Sequence, residues 1–207
     1  MISKLATVTT RAAAILCLLL SAPALADWPS HEVSLSIAPN AEAIYVRLDG
    51  QGSPLTEAFG PNGNPADATV TITVIDQYGD PAAGIPAIEL WLRCLDDGLS
   101  LCSEQIIADG PTDAAGQATW TLPLAAGGSV LGGQFRVHVE AHGYPAGFSL
   151  TVRSADINGD HLVNLTDVAL FTQALATEDT RCDFNHDTLV NLSDIVKFTA
   201  AIGMTCP

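Results

Sequence analysis

Oxygen-bearing side chains recur at one spacing in two places. Asp156, Asn158, Asp160, Asn164 and Asp167 form the first set, and Asp183, Asn185, Asp187, Asn191 and Asp194 the second. Counted from the leading aspartate they occupy positions 1, 3, 5, 9 and 12. Position 7, where a backbone carbonyl would serve, is Leu162 in one set and Leu189 in the other. A hard divalent cation prefers several oxygens at once, and three carboxylates with amide and carbonyl oxygens suit calcium. The spacing therefore predicts two calcium ions, one per loop. A rival reading makes these acidic turns before capped helices, with Asp167 and Asp194 near the helix starts; the doubling of the whole spacing favours calcium. Position 12 carries Asp where Glu is usual, which weakens bidentate binding. Position 6 normally needs Gly for a left-handed backbone, yet here it is His161 and Thr188. A β-branched Thr tolerates that region less well than His, so the first loop is expected to bind more tightly. Asn164-Leu165-Thr166 and Asn191-Leu192-Ser193 also match a glycosylation sequon, read as coincidental because each Asn is a predicted ligand.

The elements around the loops repeat as well. Asp156 to Leu175 reads DINGDHLVNLTDVALFTQAL, and Asp183 to Ile202 reads DFNHDTLVNLSDIVKFTAAI. A helical stripe follows each loop: Val168, Phe171, Ala174 and Leu175, then Ile195, Phe198, Ala201 and Ile202. Neither stripe can be buried alone, so the two helices should pack together. Two EF-hand-type loops, each followed by a helix and neither entered by one, resemble a type I dockerin over almost all of 156–202. The resemblance implies calcium-dependent folding of a small α-helical module. It also implies that Leu165, Thr166, Leu192 and Ser193 contact a cohesin-like domain on another protein. The near identity of those two pairs preserves the symmetry that allows dual binding modes in that family. Lys197 is the only base on these helices.

The preceding residues have a different texture. Val33, Leu35 and Ile37 alternate with polar residues, as do Val70, Ile72 and Val74, Ile88 to Cys94, Ala118 to Leu124, Phe135 to Ala141, and Phe148 to Val152. Ala43 to Leu48 supplies a further strand. Period-two patterning between turn signals such as Asn62-Gly63, Asp80-Pro81 and Asp97-Gly98 gives about seven half-buried strands, hence a β-sandwich. The runs Val74 to Pro86 (VIDQYGDPAAGIP) and Thr112 to Trp120 (TDAAGQATW) resemble bacterial immunoglobulin-like domains of the invasin and intimin type. Such domains serve as spacers or binding modules. The expected architecture is an all-β, immunoglobulin-like sandwich over 27–152, then a small α-helical dockerin-like domain over 153–207.

Composition narrows the function. The 207 residues carry 23 acids and 8 bases, a formal charge of −15. No basic footprint is present for nucleic acid or anionic lipid, and 48% hydrophobic residues suffice for a core. Lys4 and Arg11, the apolar run Ala12 to Leu20, and Ala24-Leu25-Ala26 read as a signal peptide over 1–26. No transmembrane segment is expected after it, and the protein should be secreted, cell-surface associated or periplasmic. Export permits disulfides. Cys94, Cys102, Cys182 and Cys206 allow three pairings; proximity favours Cys94 with Cys102 and Cys182 with Cys206. Zinc is disfavoured because no Cys-x-x-Cys pair occurs. His138, Glu140 and His142 are read as the solvent face of one strand rather than a metal site. Trp120 is a core residue, and Trp91 is either covered or a stacking platform for sugar. No nucleophile elbow, phosphate loop or zincin motif appears. The sequence thus predicts a non-catalytic, exported interaction protein with a cohesin-like or other surface-protein partner. The alternative is a polysaccharide-binding protein whose C-terminal repeats are stabilised by calcium.

Overall fold

The computed structural model describes residues 31–207 apart from Pro39 and Ala141, and residues 31–207 cluster as one compact unit. The expected leader over 1–26 lies outside the described residues. The strands are β1 (Glu32–Ser36), β2 (Ala43–Val46), β3 (Ala58–Phe59), β4 (Pro65–Ala66), β5 (Val70–Ile75) and β6 (Leu90–Cys94). They continue with β7 (Leu99–Leu101), β8 (Ile106–Ile107), β9 (Gln117–Trp120), β10 (Ala126–Val139) and β11 (His142–Ser154); two helices follow, α1 (Leu165–Thr177) and α2 (Leu192–Thr199). No helix among the described residues is long and apolar enough to cross a membrane.

The strands form two sheets. One has the order β1-β5-β9 and is antiparallel; the other runs β4-β3-β2-β11-β10-β6-β8, with β7 also paired to β10. Alternation explains the packing. On β5, Val70, Ile72 and Val74 are buried while the threonines between them are less so. Leu90, Leu92, Phe135, Val137, Leu150 and Val152 of the larger sheet meet them in one core, together with Trp120, whose indole N–H donates to Ile106 O at 3.0 Å. Two sheets sharing an apolar interior make a sandwich.

Strand β2 is the exception to alternation, and it decides how the two halves of the chain are joined. It lies parallel to β11 and is buried along its whole length. Ile44 and Val46 face the sandwich core, whereas Tyr45 and the following Leu48 join a second cluster with Val163, Phe171, Phe184, Phe198 and Ala201. A strand covered on both faces reads as a continuous apolar run.

The second cluster overturns the expected fold class. The protein is predominantly β, and the C-terminal segment contributes only two short helices of 13 and 8 residues rather than a small α-helical dockerin-like domain. The stripes do meet: Phe171 and Phe198 stack at 4.6 Å, and Phe171 lies 5.8 Å from Phe184. Helices this short cannot enclose three phenylalanines. Tyr45 completes the enclosure, 5.3 Å from Phe184. Nor is there a linker, since β11 ends at Ser154 and the first loop begins at Asp156.

Two local expectations also fail. The bond found is Cys102–Cys206, with Cα atoms 5.4 Å apart, while Cys94 and Cys182 are free thiols. Cys94 packs on the sandwich core, and Cys102 on the second cluster beside Cys206, so neighbours in sequence occupy different interiors. His138, Glu140 and His142 do not share a strand face either. Glu140 sits in the β10–β11 turn at φ 49°, and His138 pairs with Gly143 across the hairpin.

Candidate calcium loops

Each loop is wired by its first and last aspartates. In the first, Asp156 accepts backbone N–H bonds from Gly159 (2.9 Å) and Asp160 (3.2 Å) on Oδ1 and from His161 (2.9 Å) on Oδ2. Asp167 accepts from Ile157 at 2.8 Å and Asn164 at 2.9 Å. In the second, Asp183 accepts from Asp187 and Thr188, each at 3.1 Å, and Asp194 accepts from Phe184 at 2.7 Å and Asn191 at 2.9 Å. All four of these carboxylates are buried. Asn164 and Asn191 are the N-caps of α1 and α2, and each forms a capping box with the aspartate three residues on. The capping role weighed in the sequence is therefore real, and the same residues carry it.

Hydrogen bonding to backbone does not exhaust these oxygens. Asp156 Oδ, Asp160 Oδ and Asp167 Oδ converge, with one atom from each within 4.8 Å of the others. Burial raises the Asp156 pKa above the ordinary carboxylate value, and the Asp167 charge adds to it, against the relief from backbone N–H groups. The donor set is all hard oxygen, the set calcium takes and soft metals do not. Asn158, Asn164 and the Leu162 carbonyl are the further oxygens that the calcium spacing predicts for the first loop.

The second loop differs in two ways. Among the described residues, Asp183, Asp187 and Asp194 do not gather as closely as the first trio. It also has an internal counter-charge: burial lowers the pKa of Arg153 from its ordinary value, and the charges of Asp183 and Asp194 oppose that shift. Asp194 is still raised, by burial first and by the charges of Asp183 and Asp187 after relief from the backbone. Asn185, Asn191 and the Leu189 carbonyl complete the predicted set.

Backbone angles bear on the same comparison. His161 has φ 69° and Thr188 φ 73°, so position 6 is left-handed in both loops despite the absence of Gly. Position 4 is left-handed too: Gly159 at φ 71° in the first loop, His186 at φ 57° in the second. The first loop thus spends a glycine where the second strains a His, and places a His where the second strains a β-branched Thr.

Several residues that shape the loops were not picked out by the sequence. A Cβ added at Gly127 would overlap the Asp156 carboxylate, and Gly128 N–H donates to Asp156 O at 2.6 Å. Glycine inside a strand pattern marks a close backbone approach, and that signal was available at Gly127-Gly128. Ser100 Oγ and His161 Nε2 share a 2.6 Å hydrogen bond. Arg153 donates to Thr180 O at 2.6 Å and to His186 Nδ1 at 2.8 Å. Because Arg can only donate, His186 carries its proton on Nε2 and donates to Glu42 at 3.1 Å.

The predicted partner-contacting positions are at the surface. Leu165 is 84% exposed and Leu192 71%, with Thr166, Ser193, Val196 and Ile202 exposed as well. Lys197 is turned inward, its ammonium 5.2 Å from the Tyr45 ring and 5.6 Å from that of Phe59. Trp91 stacks on His138 at 3.7 Å. No family model, no curated protein and no solved structure matches the chain.

Proposed function

We propose that the chain is a non-catalytic, exported interaction protein whose two acidic loops bind calcium and hold an exposed apolar face for a protein partner. The observation that carries this reading is the convergence of the Asp156, Asp160 and Asp167 carboxylates, two of them buried. The loops cap α1 and α2 directly, so an ion in either loop would fix the helix start that bears Leu165 or Leu192. Two exposed leucines at equivalent positions of a repeat, on a chain otherwise rich in surface acid, support a docking role. A cohesin-like domain is the partner class implied by the resemblance of the repeats. The sandwich would then be the displayed or spacing element. Sugar binding has weaker support, because His138 covers one face of the Trp91 ring.

Calorimetric calcium titration of the whole chain tests the first half of the proposal, with circular dichroism before and after chelation. Two binding events are expected, the tighter lost in Asp156→Ala and the weaker in Asp183→Ala. No heat in the wild-type chain overturns it. For the second half, Leu165→Asp/Leu192→Asp should leave calcium binding intact and abolish calcium-dependent capture by a cohesin-like domain.

A further inference from the structure

The C-terminal tail is seated on the first loop by backbone contacts. Gly203 N–H donates to Val163 O at 2.8 Å, and Val163 N–H donates to Met204 O at 3.0 Å. Leu162 and Thr205 form an isolated antiparallel bridge. From the other side, Ser100 holds His161. Cys102 lies two residues after Ser100, and Cys206 directly follows Thr205. The disulfide therefore joins the two segments that grip the consecutive residues 161–163. The second loop is held differently, through the hydrogen bonds of His186 with Glu42 and Arg153.

Both bonded cysteines are partly exposed, so an external reductant can reach them. The free thiols are poor attackers. Cys182 is buried inside the apolar cluster on which the bond packs, and Cys94 packs on the other interior. Neither free thiol is exposed, so the donor that opens the bond comes from outside.

We propose that Cys102–Cys206 is a redox latch: closed, it clamps the first loop between the C-terminal tail and the segment of Ser100, and open, it releases the tail and the first loop while leaving the second loop in place. Opening takes a dithiol reductant. Its two sulfurs form a new disulfide, and two electrons and two protons pass to Cys102 Sγ and Cys206 Sγ. The proposal rests on backbone contacts and stands whether or not the loops take calcium.

Amide hydrogen exchange on the whole chain, oxidised and after reduction with dithiothreitol, tests it in calcium-containing buffer. Exchange over 159–164 and 203–206 should accelerate roughly tenfold or more on reduction, and that over 186–191 less than about twofold. Cys102→Ser/Cys206→Ser should reproduce the reduced pattern. Unchanged exchange over 159–164 in the reduced wild-type chain overturns the latch, as does equal acceleration in both loops.

Discussion

Gly127 offers the sharpest test of how the sandwich shapes the first loop. In Gly127→Ala the new methyl group would meet Oδ2, Cγ and Cβ of Asp156. The strand cannot simply retreat. Gly127 pairs with Ser100 of β7, and its neighbour Gly128 donates to the Asp156 carbonyl at 2.6 Å. If the carboxylate rotates instead, it gives up its bonds from Gly159, Asp160 and His161. At about 1.5 kcal/mol for each bond to a charged acceptor, that rotation costs roughly 4–5 kcal/mol. A partial backbone shift intervenes before that limit, so a loss of about 2–4 kcal/mol is expected. Calcium affinity should fall about 100-fold at the first loop, because the displaced oxygen is a predicted ligand. The second loop should be unaffected. Gly110→Ala is the control, since a Cβ there meets nothing within 4 Å; it should change stability by less than about 0.5 kcal/mol. Urea unfolding and calcium calorimetry on both variants provide the readings. If Gly127→Ala keeps wild-type stability and first-loop affinity, the inferred crowding of Asp156 is wrong.

Thr188→Gly removes a β-branched side chain from φ 73°. The left-handed penalty relieved exceeds the entropy that Gly adds, leaving a gain of about 0.5–1 kcal/mol and several-fold tighter calcium at the second loop; weaker binding in calorimetry would refute this. Burial raises Asp156 and Asp194 above the ordinary 3.8, so in chelator these groups favour folding below that value and lose the contribution as pH rises through their folded pKa. The stability of Asp156→Asn/Asp194→Asn relative to wild type should therefore grow from about pH 4 to about pH 7, and a constant difference in urea midpoints would contradict it. The segment 153–207 made alone lacks Tyr45, Leu48 and the Cys102 anchor. Each lost core side chain costs about 2–5 kcal/mol, so the fragment should show no cooperative thermal transition even with calcium; a sharp transition by circular dichroism would falsify that.

What the sequence made legible was local. Val70, Ile72 and Val74 announced a strand with one buried face because alternation needs only neighbours two apart. The two acidic loops were legible because the residues that wire each of them fall within twelve positions. The capping boxes at Asn164 and Asn191 belong to the same short register. The disulfide was illegible for the opposite reason: Cys102 and Cys206 are 104 residues apart, and only the seating of the tail on the second cluster brings them together. Glu140 misled because an acidic residue between two histidines completes an alternating pattern, although it occupies a turn with positive φ.

The misread fold class has the same origin. Two helical stripes suggested a self-contained helical module, since a stripe shows that a face is buried but not what buries it. Tyr45 and Leu48 bury it here, in an apolar run whose double-sided burial was its only signal. The loops are likewise asymmetric through residues far from them. Arg153 lends the second loop a positive charge and Gly127 leaves room for Asp156 in the first, while Ser100 and Glu42 each hold a histidine. The sequence expectation that the first loop binds more tightly rests on His161 against Thr188. The fold adds a difference that the loops do not carry themselves: Arg153 is buried within electrostatic reach of Asp183 and Asp194. A site whose charge is already partly offset gains less from a cation, so single-loop calcium titration is expected to find the first loop the tighter, for a reason that lies in the sandwich as well as in the loops' own residues.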